Sequence, residues 1–196
     1  MFLCQIKRTL RDHNSLIVHF SGTPRGIGAG QPRPDFPLDL QNVIKNSASW
    51  EIPCSTVSDG VTRASNGTMG SIGLIIRCKN GASLLGVCSH DAGSYYDHVS
   101  GKRNLGSCVA PSATNCVDSI VNRHGHNEWI ITNYEAAGVL VDDTFAVWDS
   151  NTNFERSSDI HEIFSAFPNL PILYFYKGDL WEIYPTRNKR NIDDFI

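Results

Sequence analysis

The alternation of apolar residues between Ile72 and Cys88 constrains this chain more than any other feature. In "SIGLIIRCKNGASLLGVCSHD", Ile72, Leu74, Ile76 and Cys78 alternate with Gly73, Ile75 and Arg77, and Ala82 to Cys88 alternates again after Asn80-Gly81. A period of two puts one apolar set on one face of a strand. An Asn-Gly pair between two such runs predicts a hairpin with a two-residue turn, in which Lys79 faces Ala82, Leu74 faces Val87 and Ile76 faces Leu85. That register sets Cys78 opposite Ser83, so Cys78 and Cys88 are poor disulfide partners.

Strand character returns in "EWIITN" and in "AGVLVDDTFAVWD", and "PILYFYKGDLWEIYP" predicts a second hairpin turning at Lys177-Gly178-Asp179. Two helices interrupt the strands. In "PSATNCVDSIVNRHG" Ser112 is placed as an N-cap, Cys116, Val117, Ile120 and Val121 recur at helical spacing, and Gly125 stands where a helix stops. "SSDIHEIFSAFP" carries Ile160, Ile163, Phe164 and Phe167 between Asp159 and Pro168, the pattern of a short amphipathic helix. Residues 1–35 end in "SGTPRGIGAGQPRPD", too rich in Gly and Pro for regular structure, and are expected to form an irregular arm. Gly26, Gly28 and Gly30 mimic a phosphate-binding loop, but Gln31-Pro32-Arg33-Pro34 follows where such a loop must open a helix. The expectation is a mainly β body over 36–184 and a flexible tail over 185–196.

With 41% hydrophobic and 19% charged residues in 196, the chain can bury a core without staples. Its net charge of -3 gives no polyanion-binding stripe, so no nucleic-acid partner is expected. No apolar run approaches the roughly 18 residues of a spanning helix, and Lys7 and Arg8 arrive before any secretory core, so no membrane partner and a cytoplasmic location are expected. The six cysteines contain no C-x-x-C pair and read as free thiols. His124-Gly125-His126 invites a metal reading with Cys116 or His98, but no second pair stands at ligand spacing. Neither a metal nor a cofactor is expected.

His90 lies just past an alternating strand, where a rigid element presents a side chain to a cleft. Its neighbour Asp91 points to the other face, so an orienting carboxylate must come from elsewhere, and Asp142-Asp143 is the candidate. Cys88 shares a strand face with His90, where a core position favours an inert thiol. These segments together resemble the trypsin-like (chymotrypsin-fold) peptidases, in their divergent intracellular, fungal-type members. The resemblance rests on "GTMGSIGLIIRCKNGASLLGVCSHD" leading into the histidine, on "DDTFAVW", and on the Pro-Ser step and helix of "CVAPSATNCVDSIVN".

The resemblance implies the first barrel of a double β-barrel, with His90 as general base and Asp143, or alternatively Asp142, as its orienting acid. It also implies a serine in a Gly-Asp-Ser-Gly-like loop, and none follows Asp143: the one Gly-Asp there, Gly178-Asp179, continues Leu-Trp. The second barrel is expected to be incomplete. The chain therefore reads as a trypsin-like peptidase-related protein without a nucleophile, inactive or a fragment, with a peptide or protein as partner. The alternative is a non-catalytic β-rich interaction module.

Overall fold

Leu16, Ile17 and Val18 are three consecutive buried residues, which requires that the strand carrying them be covered on both faces. The computed structural model describes residues 1–21, 36–59, 72–142 and 160–196, with the backbone alone at 146–147 and 155–156. Along the chain come helix α1 (Leu3–Asp12), strand β1 (Leu16–Phe20), helix α2 (Leu38–Lys45), β2 (Glu51–Val57), β3 (Ile72–Cys78) and β4 (Leu84–Cys88). The short strands β5 (Tyr95–Tyr96) and β6 (Arg103–Asn104), helix α3 (Ala113–Val121), β7 (Glu128–Thr132) and β8 (Tyr134–Val141) follow. Then come β9 (Ala146–Val147), β10 (Glu155–Arg156), helix α4 (Ile160–Ala166), β11 (Ile172–Tyr176), β12 (Asp179–Tyr184) and β13 (Asn188–Arg190).

The protein is mainly β. Nine strands form one mixed sheet in the order β13-β12-β11-β8-β3-β1-β2-β7-β4, and β5–β6 and β9–β10 make two-stranded ribbons. Among the described residues only β8 and β11 pair in parallel. The sheet ends at β13 on one side and β4 on the other, so among the described residues it is open and no barrel closes.

The expected β3–β4 hairpin does not form. β3 lies between β1 and β8, while β4 pairs with β7 at the far edge. A two-residue turn of either primed type needs positive φ at its first position. Here Asn80 is extended at φ -154, and its side chain accepts the Ala82 N–H to start a 3-10 turn over Gly81–Ser83. That turn packs against the N-terminus, where a Cβ on Gly81 would collide with the Met1 carbonyl. The apolar alternation was read correctly as strand, but it could not say with which neighbour each strand pairs.

The arm expected over residues 1–35 is also replaced over its first part. Residues 3–12 form α1, which buries Ile6, Thr9 and Leu10, and "LIVHF" is a central strand; the Gly- and Pro-rich segment 22–35 lies outside the described residues. The tail is likewise structured: β13 adds to β12, Asn191 caps a 3-10 turn, and Phe195 and Ile196 are buried. Apolar side chains at both termini found core surface that propensity alone does not reveal. The two helices and the C-terminal hairpin stand where they were expected. The Ser112 hydroxyl accepts the Asn115 N–H at 3.0 Å to cap α3, and Tyr176 faces Asp179 across the Lys177-Gly178 turn. No helix among the described residues is long and apolar enough to cross a membrane.

Candidate functional site

The ladder between β1 and β2 stops early, and a proline explains it. Leu16, Ile17 and Val18 face Val57, Thr56 and Ser55, and continuing that register would bring Phe20 opposite Pro53. Proline has no N–H to give a ladder. β2 parts from β1 there and its first half runs beside β7, with Glu51 to Cys54 facing Thr132 to Trp129. On the other flank Asn127 forms a buried wedge between β2 and α3. Its Oδ1 accepts the Thr56 N–H at 2.8 Å, and its Nδ2 donates to Thr56 Oγ1 at 2.6 Å and to the Ser119 carbonyl at 2.9 Å. Its own carbonyl accepts the Ser55 hydroxyl at 2.9 Å.

The split leaves a cleft of about 260 Å³. Val18, Phe20 and Pro53 give it apolar walls; His19, Ser55, Asp91, Ser94, His126 and Glu128 give it polar ones. Glu128 opens β7 and is only 6% exposed. Its Oε2 accepts the Ala92 N–H at 2.6 Å and its Oε1 accepts the Ser94 hydroxyl. Both oxygens are thus held as acceptors, the pattern of a carboxylate rather than of an acid offering a proton.

His19 reaches across the split, its Nδ1 2.7 Å from the Pro53 carbonyl oxygen. A carbonyl only accepts, so Nδ1 carries the hydrogen and the neutral ring keeps Nε2 as an acceptor. Burial lowers the His19 pKa from its ordinary value, outweighing the Pro53 carbonyl and the Asp39 carboxylate, which act upward. Cys54 also lines the cleft, but burial, then Cys78 and Glu128, push its thiol well up. It is a neutral wall rather than a nucleophile.

Beyond Asp91 stands a second cluster. His90 Nε2 lies 3.0 Å from the Ser107 hydroxyl. The Cys88 sulfur lies 3.3 Å from His90 Nδ1 and 3.4 Å from Nε2. The two nitrogens direct their in-plane axes apart, so a sulfur nearly equidistant from both rests against the ring and on the axis of neither. Cys88 is 6% exposed while His90 and Ser107 are exposed.

The candidate acids are placed differently. Asp143 lies outside the described residues. Asp142 follows β8, and β7, β2, β1 and β3 stand between that strand and β4, which leads to His90. His124 donates its backbone N–H to the Ser89 carbonyl at 2.8 Å and His126 lines the cleft. No group of three His, Cys, Asp or Glu side chains is poised for a metal among the described residues.

The residues that sequence reasoning passed over are His19, Ser55, Ser107 and Glu128. The one local signal was an acid set directly before an apolar strand in "NEWIIT", where a surface charge would not be expected to lead into core. No family model matches the chain, and neither a curated protein nor a solved structure matches it.

Proposed function

We propose that the cleft cleaves, or transfers from, an N-glycoside whose leaving group is a cationic heterocycle such as a pyridinium. The observation that carries this is Glu128, a buried carboxylate with both oxygens held as acceptors, in a cleft whose described lining contains no lysine or arginine. Such a site favours positive charge and opposes the oxyanion of acyl transfer. Positive charge develops on the sugar in an oxocarbenium-like transition state. Both Glu128 oxygens are engaged as acceptors, and the Nδ1 hydrogen of His19 is engaged by Pro53. A leaving group that departs neutral without protonation fits that pair. His19 Nε2 then accepts from a sugar hydroxyl and positions the ring, and Phe20 and Pro53 supply apolar faces beside the heterocycle.

The test uses oxidised nicotinamide adenine dinucleotide with the full chain, and chromatography of released nicotinamide. Turnover that Glu128→Gln removes supports the reading. No release above the uncatalysed rate sinks it.

A second reading rests on the 3.0 Å contact of His90 with Ser107. It keeps the peptidase-related expectation in altered form, with Ser107 as nucleophile and His90 as base. A fluorophosphonate that labels Ser107, with loss of labelling in His90→Ala, would favour it over the cleft. If both assays stay silent, the non-catalytic interaction module is the better account.

A further inference from the structure

We propose that Cys88 and Cys108 are a reversible disulfide site that locks the backbone cradling Glu128. Val87 and Val109 exchange both backbone hydrogen bonds, each at 3.0 Å, as an isolated antiparallel bridge. Continuing that register by one residue in each direction sets Cys88 opposite Cys108 in a non-hydrogen-bonded pair, where antiparallel strands bring side chains closest. Their Cα separation in such a pair falls within the range a disulfide spans.

One further contact agrees with that placement. A Cβ on Gly86 would stand 2.9 Å from the Cys108 Cβ, so the glycine is what lets Cys108 sit down on β4. Both thiols are free.

The pair lies beside the Glu128 cradle. Cys88 faces Glu128 across the β4–β7 ladder, and Ser107, next to Cys108, donates its backbone N–H to the Ala92 carbonyl at 3.2 Å. Ala92 in turn holds Glu128. A bond between Cys88 and Cys108 therefore ties the 105–109 segment to β4 and fixes the loop that presents Ala92 and Ser94.

The oxidant that suits a half-buried pair is a small peroxide. The Cys88 sulfur attacks a peroxide oxygen and becomes a sulfenic acid, and the thiol proton leaves with the displaced hydroxide as water. The Cys108 sulfur then displaces the sulfenic hydroxyl, and the Cys108 proton leaves with it as a second water. Two thiols and one hydrogen peroxide thus give one disulfide and two waters. Burial, then the Glu128 charge and Cys88, push the Cys108 thiol up to about 12, which disfavours Cys108 as the first attacker because the thiolate is the nucleophile.

The test treats the folded full chain with hydrogen peroxide, blocks remaining thiols and digests. The expected product is a peptide pair joined through Cys88 and Cys108 that a dithiol reductant separates, with slower amide exchange at Ala92 and Ser94 in the oxidised form. In Cys108→Ser the sulfenic acid on Cys88 should persist and take up dimedone. Both thiols still alkylating after the oxidant, or linkage to other cysteines, would overturn the site. A bond that leaves exchange at Ala92 and Ser94 unchanged would overturn the locking role. Neither readout depends on what the cleft turns over.

Discussion

Two histidines sit on either side of Asp91, and the chain treats them oppositely. His19 is held at a split in the middle of the sheet, with its tautomer set by the Pro53 carbonyl and a buried carboxylate across the cleft. His90 is exposed past an edge strand, with a sulfur against its ring and a hydroxyl on one nitrogen. A side chain is useful for chemistry when surrounding elements fix it before the substrate arrives. The middle of the sheet does this better than its edge, because His19 is positioned by β1 and β2 and Glu128 by β7 and the 92–94 loop. His90 has one strand behind it.

The sharpest break of this comparison is Glu128→Gln. The change keeps size and removes the charge, so nicotinamide release should fall about 10²–10³-fold, roughly 2.7–4 kcal/mol of transition-state stabilisation. The thermal midpoint should move little, since the amide oxygen can accept the Ala92 N–H while its NH2 donates to the Ser94 hydroxyl oxygen. A steady-state assay beside a melting curve separates the two effects. A variant that retains most of its turnover would remove Glu128 from the centre of the site.

Asn127→Ala comes next. It leaves the Thr56 N–H and the Ser119 carbonyl without their partner in a buried place, at a cost of about 2–4 kcal/mol. For a chain of this size that is on the order of 5–15 °C in melting temperature. Urea unfolding monitored by fluorescence should show a lower midpoint with an unchanged slope. A loss within experimental scatter would mean that Asn127 does not hold the split.

These two residues also show where the sequence was legible. Period-two alternation found β3 and β4, and the N-cap at Ser112 and Pro168 beyond Phe167 found α3 and α4, because those signals are local. The placement of β1 between β2 and β3 was not legible, since any apolar pentamer can be edge or centre until its partners are known. The catalytic expectation went to His90 because a histidine at the end of an alternating strand stands out in one dimension. His19 and Glu128 are 109 positions apart in the chain and meet only through the split at Pro53. Nothing in the spacing of either residue signals that encounter.

His19 should also give the protein an acid-side instability. Its folded-state pKa is lowered, so between that value and the unfolded value of 6.5 the unfolded chain binds a proton that the folded chain does not. Stability is therefore unaffected above the unfolded value, declines as pH falls through it, and levels off below the folded value. Melting temperatures taken from about pH 7.5 down to about pH 5.5 should fall in wild type, and the His19→Asn variant should lack that component of the fall. Identical slopes in both would show that His19 is as free to protonate folded as unfolded.

The smallest expected effect is that of His90→Ala, and it bears most directly on the comparison. His90 is exposed, so its removal vacates little packed volume and the melting temperature should hold to within about 1 °C, as surface substitutions usually do. Nicotinamide release should stay within about twofold of wild type, because His90 makes contact with Cys88 and Ser107 and is not among the residues that line the cleft. The same variant is the informative one for the hydrolase reading, in which Ser107 without its base should lose its reactivity toward a fluorophosphonate. One substitution thus drives the two readings in opposite directions. A large loss of glycosidic turnover in His90→Ala, with Glu128→Gln near wild type, would mean that the edge of the sheet and not its split carries the chemistry.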